Sequence, residues 1–270
     1  MPVSRHSPRM HPGWCLDPKP GPVAGAGLST RSNGSRAMRN VTSTVVALVL
    51  AGITASAAPE APQPLADDFT SDLSRWSVEQ ESGGTVRCVD GTLEIESAGG
   101  STVWWRGLLR APVEIRYEAE VVVSGGPRDR LSDLNCFWMA QDPLRPAGEM
   151  PATRSGKFSD YDSLLTYYVG IGGNENTTTR FRRYDGTSAR PLRPEHDLRD
   201  SWHLLRANHR YQIRIVVRED ETEFWRDGER LFVFRDPTPL TSGFFAFRTV
   251  RSHLKLSRFQ VQPLGAVHRP

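Results

Sequence analysis

The sequence contains no G-x-S-x-G elbow, no H-E-x-x-H pair, no P-loop and no dinucleotide fingerprint. Elbow-type serine hydrolases, zinc peptidases, P-loop enzymes and Rossmann dehydrogenases are therefore set aside. The Glu-x-Asp-x-x-Glu strand of retaining sandwich glycosidases is missing as well. Cysteine is scarce, three in 270 residues, and none has the histidine spacing of a zinc site. After residue 65 almost no stretch shows helical period, and there is no internal repeat. No apolar run comfortably spans a bilayer. No basic stripe with interleaved aromatics occurs outside the N-terminal segment, which argues against a nucleic-acid partner.

What is present is ordinary for a globular chain: 38% apolar and 24% charged residues. Glycine (23), proline (20) and 9% aromatics suit many short strands joined by turns. The net charge of +3 is unevenly placed. Residues 1–57 hold six basic residues and one acid, leaving 28 basic and 30 acidic residues in the rest.

Residues 38–57 read as a secretory signal. Arg39 is the positive start, Val41 to Ile53 the apolar run, and Ala55-Ser56-Ala57 the cleavage pattern. Residues 1–37, with six prolines and five glycines, are expected to be disordered or a mis-assigned start upstream of Met38. A linker over 58–65, one domain over 66–262 and a tail over 263–270 complete the expected organisation. The mature chain is expected outside the cytoplasm, secreted or periplasmic, as a monomer with no membrane attachment after cleavage. Cys88 and Cys136 would remain, as a disulfide or as two buried thiols on separate strands.

Period-two segments predict strands near 76–80, 85–89, 92–97, 101–106, 113–123, 134–140, 163–171, 177–184, 209–217, 221–226, 230–235, 243–249 and 253–262. Asp90-Gly91 and Asp227-Gly228 are two-residue hairpin turns. So many antiparallel strands close best as two stacked sheets. The expected fold is all-β, a concanavalin A-like jelly-roll sandwich with one concave face. Asp67-Asp68-Phe69 followed by Trp76 resembles the opening strand of secreted β-sandwiches, and Ser257–Val261 resembles their closing strand, which implies that the two pair.

Chemistry concentrates in residues 158–211. Strand alternation puts Thr178, Arg180, Arg182 and Tyr184 on one exposed face, with Phe181 marking the core side. Guanidinium groups bind carboxylates in two-pronged fashion. Asn135, Phe137 and Met139 alternate with Cys136, Trp138 and Ala140 on another strand. Small Ala246 beside Arg248 would leave room for a ligand. His196 lies in a loop and is suited to moving protons near neutral pH. His253 and Asn174 are further contacts, and one of Tyr167 and Tyr168 must leave the core. Jelly rolls can hold a structural calcium in oxygen-rich loops, for which Asp67, Asp68 and Asp236 are candidates; no cofactor is assigned from the sequence, which leaves the metal open.

Asn135–Ala140 with Asp142-Pro143, Tyr167–Gly170, Gly172–Asn174, Thr178–Arg182 and Phe247–Thr249 resemble a secreted bacterial, YesU-like family of unknown function. The resemblance covers about residues 66–262 and implies a concanavalin-like fold. Members look like partners of enzymes that degrade pectin, rhamnogalacturonan and other polysaccharides. The implied partner is thus a polysaccharide or oligosaccharide.

Three functions fit. The leading one is a lyase that cleaves a uronic-acid glycan by β-elimination. Arg180, Arg182 and Arg248 would clamp the carboxylate, and His196 and Tyr168 would carry protons. Asn135, Trp138, Tyr184, His253 and Asn174 would contact substrate. The alternatives are a glycoside hydrolase using two carboxylates and a non-catalytic glycan-binding protein that stacks sugars on Trp104, Trp105, Trp138 or Trp225.

Overall fold

Alternating apolar and polar residues produce strands here, and Gly-containing turns end them. The computed structural model describes residues 65–265. The expectations for 1–37, 38–57, 58–64 and 266–270 lie outside the described residues. In chain order the strands are β1 (Leu65–Asp67), β2 (Trp76–Gln80), β3 (Thr85–Val89), β4 (Thr92–Glu96), β5 (Gly100–Trp105), β6 (Leu109–Arg110), β7 (Val113–Val121) and β8 (Leu134–Gln141). They continue with β9 (Leu165–Gly172), β10 (Thr178–Asp185), β11 (Asp197–Leu198), β12 (Tyr211–Val217), β13 (Glu221–Arg226), β14 (Glu229–Arg235), β15 (Ser242–Val250) and β16 (His253–Pro263). Asp90-Gly91 and Asp227-Gly228 turn with positive φ at all four residues, as their hairpins require.

Two antiparallel sheets result. The first runs β14-β13-β12-β7-β16-β4-β3, with β1 also on β16. The second runs β11-β10-β9-β8-β15-β5-β2, with β6 on β15. Opening and closing strands pair as expected, Asp67 opposite Phe259 and Leu65 opposite Val261. The architecture is the all-β sandwich that the sequence implied. Among the described residues no helix is long and apolar enough to cross a membrane.

The inward faces form one aromatic-rich core. Trp76 sits within 5.0–5.6 Å of Phe69, Trp105, Phe247 and Phe259. Its indole N–H donates to Asp67 Oδ2 at 2.9 Å, so the buried polar tip is satisfied. Burying each such ring is worth about 1.5–3 kcal/mol. Cys88 and Cys136 are free thiols, and burial pushes the Cys136 thiol up to about 12.

One alternation fails, and a bulge explains it. The β8–β9 register shifts between Trp138 and Gln141, and Met139 has φ 52°. Trp138 and Met139 therefore both enter the inter-sheet core, while Ala140 turns outward.

A second apolar cluster lies on the outer face of the second sheet. Trp104, Phe137, Tyr168, Tyr184, Phe244 and Ala246 supply its floor. Phe158, Tyr161 and Leu164, from the segment between β8 and β9, cover it. Asp142 anchors that segment by accepting from Ala152 N and Arg154 Nη2 at 3.1 and 2.9 Å. Glu79 anchors it again, accepting from Tyr161 Oη at 2.7 Å, Trp104 Nε1 at 2.9 Å and Arg154 N at 2.9 Å.

Candidate functional site

Strand pairing lays one polar row across the outer face of the second sheet. Its successive Cα partners are Glu79, Thr102, Arg248, Asn135, Gly170, Arg180 and Asp197. The neighbouring row is Trp104, Ala246, Phe137, Tyr168 and Arg182. The face thus gathers Arg180, Arg182, Arg248, Asn135, Tyr168 and Tyr184, on strands far apart in sequence.

The three arginines differ in their partners. Arg180 holds Asp197 with two bonds, Nε to Oδ1 at 2.7 Å and Nη2 to Oδ2 at 3.2 Å. With Arg199 it depresses the Asp197 carboxyl to about 2. Arg182 donates to the Arg190 carbonyl. Among the described residues neither Arg182 nor Arg248 pairs with a carboxylate. Arg248 is fully buried (0% exposed). Its Nη1 donates to Thr102 Oγ1 at 2.9 Å and to Gly156 O at 2.5 Å. Its Nε and Nη2 have no partner, nor do the buried Tyr184 hydroxyl and Asn135 Oδ1. Phe158 and Tyr161 flank the guanidinium at 5.1 and 5.0 Å.

A buried, unpaired guanidinium beside orphaned polar atoms is costly. Gly170, lacking a side chain, lets the Tyr168 hydroxyl and Asn135 close over the backbone at this point. A methyl built on it would lie 2.6 Å from the Tyr168 hydroxyl and 3.1 Å from Asn135 Oδ1. Burial raises the Tyr168 and Tyr184 phenols above their ordinary range, against the pull of Arg248. Tyr168 thus holds its proton at neutral pH.

Other expected site residues lie elsewhere. Trp138 is in the inter-sheet core, its N–H on Thr222 Oγ1 at 3.0 Å, and faces no groove. His196 packs edge-on against Phe181, Phe232 and Phe234 at 4.8–5.9 Å, away from the arginine row. Burial lowers its pKa, so it is neutral at pH 7. His253 belongs to the first sheet, between Asp129 Oδ1 at 3.0 Å and Glu94 Oε1 at 2.9 Å. Asn174 is exposed in a left-handed turn after β9, its Nδ2 on Thr178 Oγ1 at 3.2 Å. Tyr184 shares the arginine face but is buried there, because the covering segment occupies the room expected above Ala246. Of the suggested stacking tryptophans, Trp104 and Trp105 are buried, and Trp225 lies against Arg214 and Arg230 at 5.3 and 5.7 Å.

The proposed calcium carboxylates are already engaged. Asp67 accepts from Phe69 N and Trp76 Nε1, and Asp68 from Thr70. Asp236 accepts from Tyr167 Oη at 2.8 Å and Arg183 Nε at 3.1 Å. Glu94, Glu96 and His253 form the one metal-competent group among the described residues, and Arg87 already bridges its two glutamates.

Sequence reasoning missed Glu79, Gly156, Phe158, Tyr161 and Arg190. Gly156, Phe158, Tyr161 and Arg190 reach the site through an irregular segment and loop, where period-two patterning carries no signal, whereas Glu79 lies on β2 and was passed over because nothing local shows its partners. Arg190 joins the covering segment through Asp162 Oδ1 at 2.5 Å and the Phe158 ring at 4.3 Å.

Residues 95–259 match a family described as a domain of unknown function (DUF6250). No curated protein matches the chain. Among solved structures, a Bacillus subtilis protein of unknown function with a galectin-like fold superposes with TM-score 0.58 at 15% identity, covering 73% of this chain and 94% of that one. The VIP36 exoplasmic/lumenal domain, solved with Ca2+ and Man3GlcNAc, gives TM-score 0.50 at 10% identity, covering 77% and 90%. The Emp46p carbohydrate recognition domain gives 0.50 at 12%, covering 72% and 91%. At these identities the likeness is one of fold.

Proposed function

The chain belongs to the DUF6250 family, and from that premise and the arginine face we propose that it is an exported protein acting on an acidic glycan. The outer face of the second sheet receives a uronate carboxylate. The observation that carries this is Arg182, partly exposed and paired with no carboxylate among the described residues, next to the roofed Arg248, whose Nε and Nη2 are unpaired. Sugar-bound relatives in fold, and the YesU-like motifs, support a glycan as the partner.

The reaction these groups serve best is β-elimination. Arg182, Arg248 and the Asn135 amide would neutralise the carboxylate as the adjacent C–H bond breaks. The base in this reading is Asp133, whose Oδ1 lies 3.4 Å from the Asn135 amide and whose Oδ2 already accepts from Arg130 and Ser132 at 3.0 and 2.7 Å, and it takes the proton of the breaking C–H bond. Electrons from the C–H bond form the ring double bond and expel the glycosidic oxygen. That oxygen takes its proton from Tyr168, whose raised pKa keeps it protonated until then.

A non-catalytic binding role is the second reading. It is favoured by the histidines: His196 and His253 both lie off this face. One assay separates the two. The purified chain is incubated with polygalacturonate and with alginate while the ultraviolet absorbance of unsaturated uronates is followed. Rising absorbance, lost in Arg182→Ala, supports the lyase. Binding without absorbance supports the second reading, and the absence of both binding and absorbance overturns both.

A further inference from the structure

We infer that Trp202 is the stacking platform of a second carbohydrate subsite, one for uncharged sugar rings. The inference rests on the reading that this protein takes glycans, but on none of the groups used above. Trp202 is 69% exposed, and it is the one aromatic among the large apolar residues that the described chain leaves exposed.

An exposed indole on a loose loop would carry little meaning. This one is fixed from several sides. Its Nε1 donates to Glu229 Oε2 at 2.7 Å. Its carbonyl accepts from Arg226 Nη2 at 2.7 Å, and the His203 carbonyl accepts from Arg226 Nη1 at 2.9 Å and Thr179 Oγ1 at 2.6 Å. Arg226 is itself buried, its guanidinium above the Tyr211 ring at 5.4 Å. A buried cation thus clamps the short Ser201–His203 turn from below and presents a pre-oriented ring to solvent. Pre-orientation removes much of the ordering cost of binding.

The surroundings define the ligand class. Beside Trp202 lies a cavity of about 200 Å3, lined by Leu204, Arg206, Tyr211, Asp227 and Glu229 among others. A pyranose ring laid on the indole would expose its hydroxyls to the carboxylates of Asp227 and Glu229 and to Arg206. Two acids, Asp227 and Glu229, are balanced here by Arg206 and Arg226, so the cavity has no charge surplus and suits an uncharged ring, whereas the arginine face, with its unpaired cations, favours a uronate. The two subsites would therefore read different sugars of a mixed polymer.

The test is affinity electrophoresis of the full chain in gels containing polygalacturonate, alginate, soluble β-glucan, galactan or mannan. At least one neutral polymer should retard the wild type. Trp202→Ala should lose about tenfold in affinity for it, the worth of one good stacking contact. Trp202→Tyr should keep part of it, and Arg182→Ala all of it. Unchanged retardation of Trp202→Ala on every polymer would overturn the inference, as would a wild type that no neutral polymer retards. A wild-type dimer that Trp202→Ala turns monomeric in sedimentation, with neutral-polymer retardation unchanged, would overturn it in favour of a self-association surface. Should Arg182→Ala bind polyuronides normally while Trp202→Ala loses the neutral polymer, the arginine-face reading falls and this one stands.

Discussion

Replacing Arg248 by methionine separates a receptor from a structural post. The substitution deletes two charge-assisted hydrogen bonds, to Thr102 and Gly156, and two ring contacts. Those are worth about 1.5–3 kcal/mol per bond and about 0.5–1 kcal/mol per ring. Against this stands the burial of an unpaired ion, which costs several kcal/mol, and two unsatisfied donors at about 1–3 kcal/mol each. The removed and relieved quantities are about 4–8 and about 5–10 kcal/mol, so their midpoints put the variant about 1.5 kcal/mol above the wild type, within a span from about 3 below to about 6 above. Polyuronide binding should fall at the same time by about 30- to 1,000-fold, the cost of losing a desolvated charge contact. Urea unfolding gives the first quantity, and titration with polygalacturonate the second. A variant destabilised by more than about 3 kcal/mol, or one that binds as wild type, refutes the reasoning.

Glu79→Ala strands the Trp104, Tyr161 and Arg154 donors. It should cost about 3 kcal/mol in urea unfolding and speed proteolysis within 142–164. Gly170→Ala drives a methyl against the Tyr168 hydroxyl. It should abolish polyuronide turnover or binding and lower the thermal midpoint as well, because the methyl must displace buried Tyr168. Asp197→Asn removes a carboxylate held at about 2, against 3.8 when unfolded, by Arg180 and Arg199. Its stabilisation is present above the unfolded value and is lost as pH falls through the folded one. The variant should therefore be weaker by about 1 kcal/mol at neutral pH after solvent screening and equal to wild type near pH 2. His196 is kept neutral by burial, so the unfolded chain binds its proton more readily. Stability should decline as pH drops below 6.5. His196→Phe should remove that slope and leave polyuronide binding unchanged.

The long strands were legible because their alternation is physical. Phe245 and Phe247 had to face opposite to Ala246 and Arg248, and they do. Tyr167 and Tyr168 divide between core and outer face for the same reason. Three strands of two or three residues, β1, β6 and β11, are too short to show a period. Met139 broke the pattern because a bulge adds a residue without changing composition. At the site, parity placed Arg180, Arg182 and Arg248 on one face. It could not show that Asp197 neutralises the first, or that Tyr161 and Phe158 roof the third. Those contacts join residues across loops whose paths no local rule fixes. Trp202 escaped for the opposite reason, since it lies in a short turn where exposure depends on Arg226 far along the chain.

Titration of the wild-type chain with polygalacturonate and with the same polymer after reduction of its carboxyl groups tests the central claim most directly. The account predicts that only the acidic polymer binds and raises the unfolding temperature, and that Arg182→Ala and Arg248→Met each lose the effect. Equal binding of the reduced polymer, or undiminished binding by both variants, would contradict it.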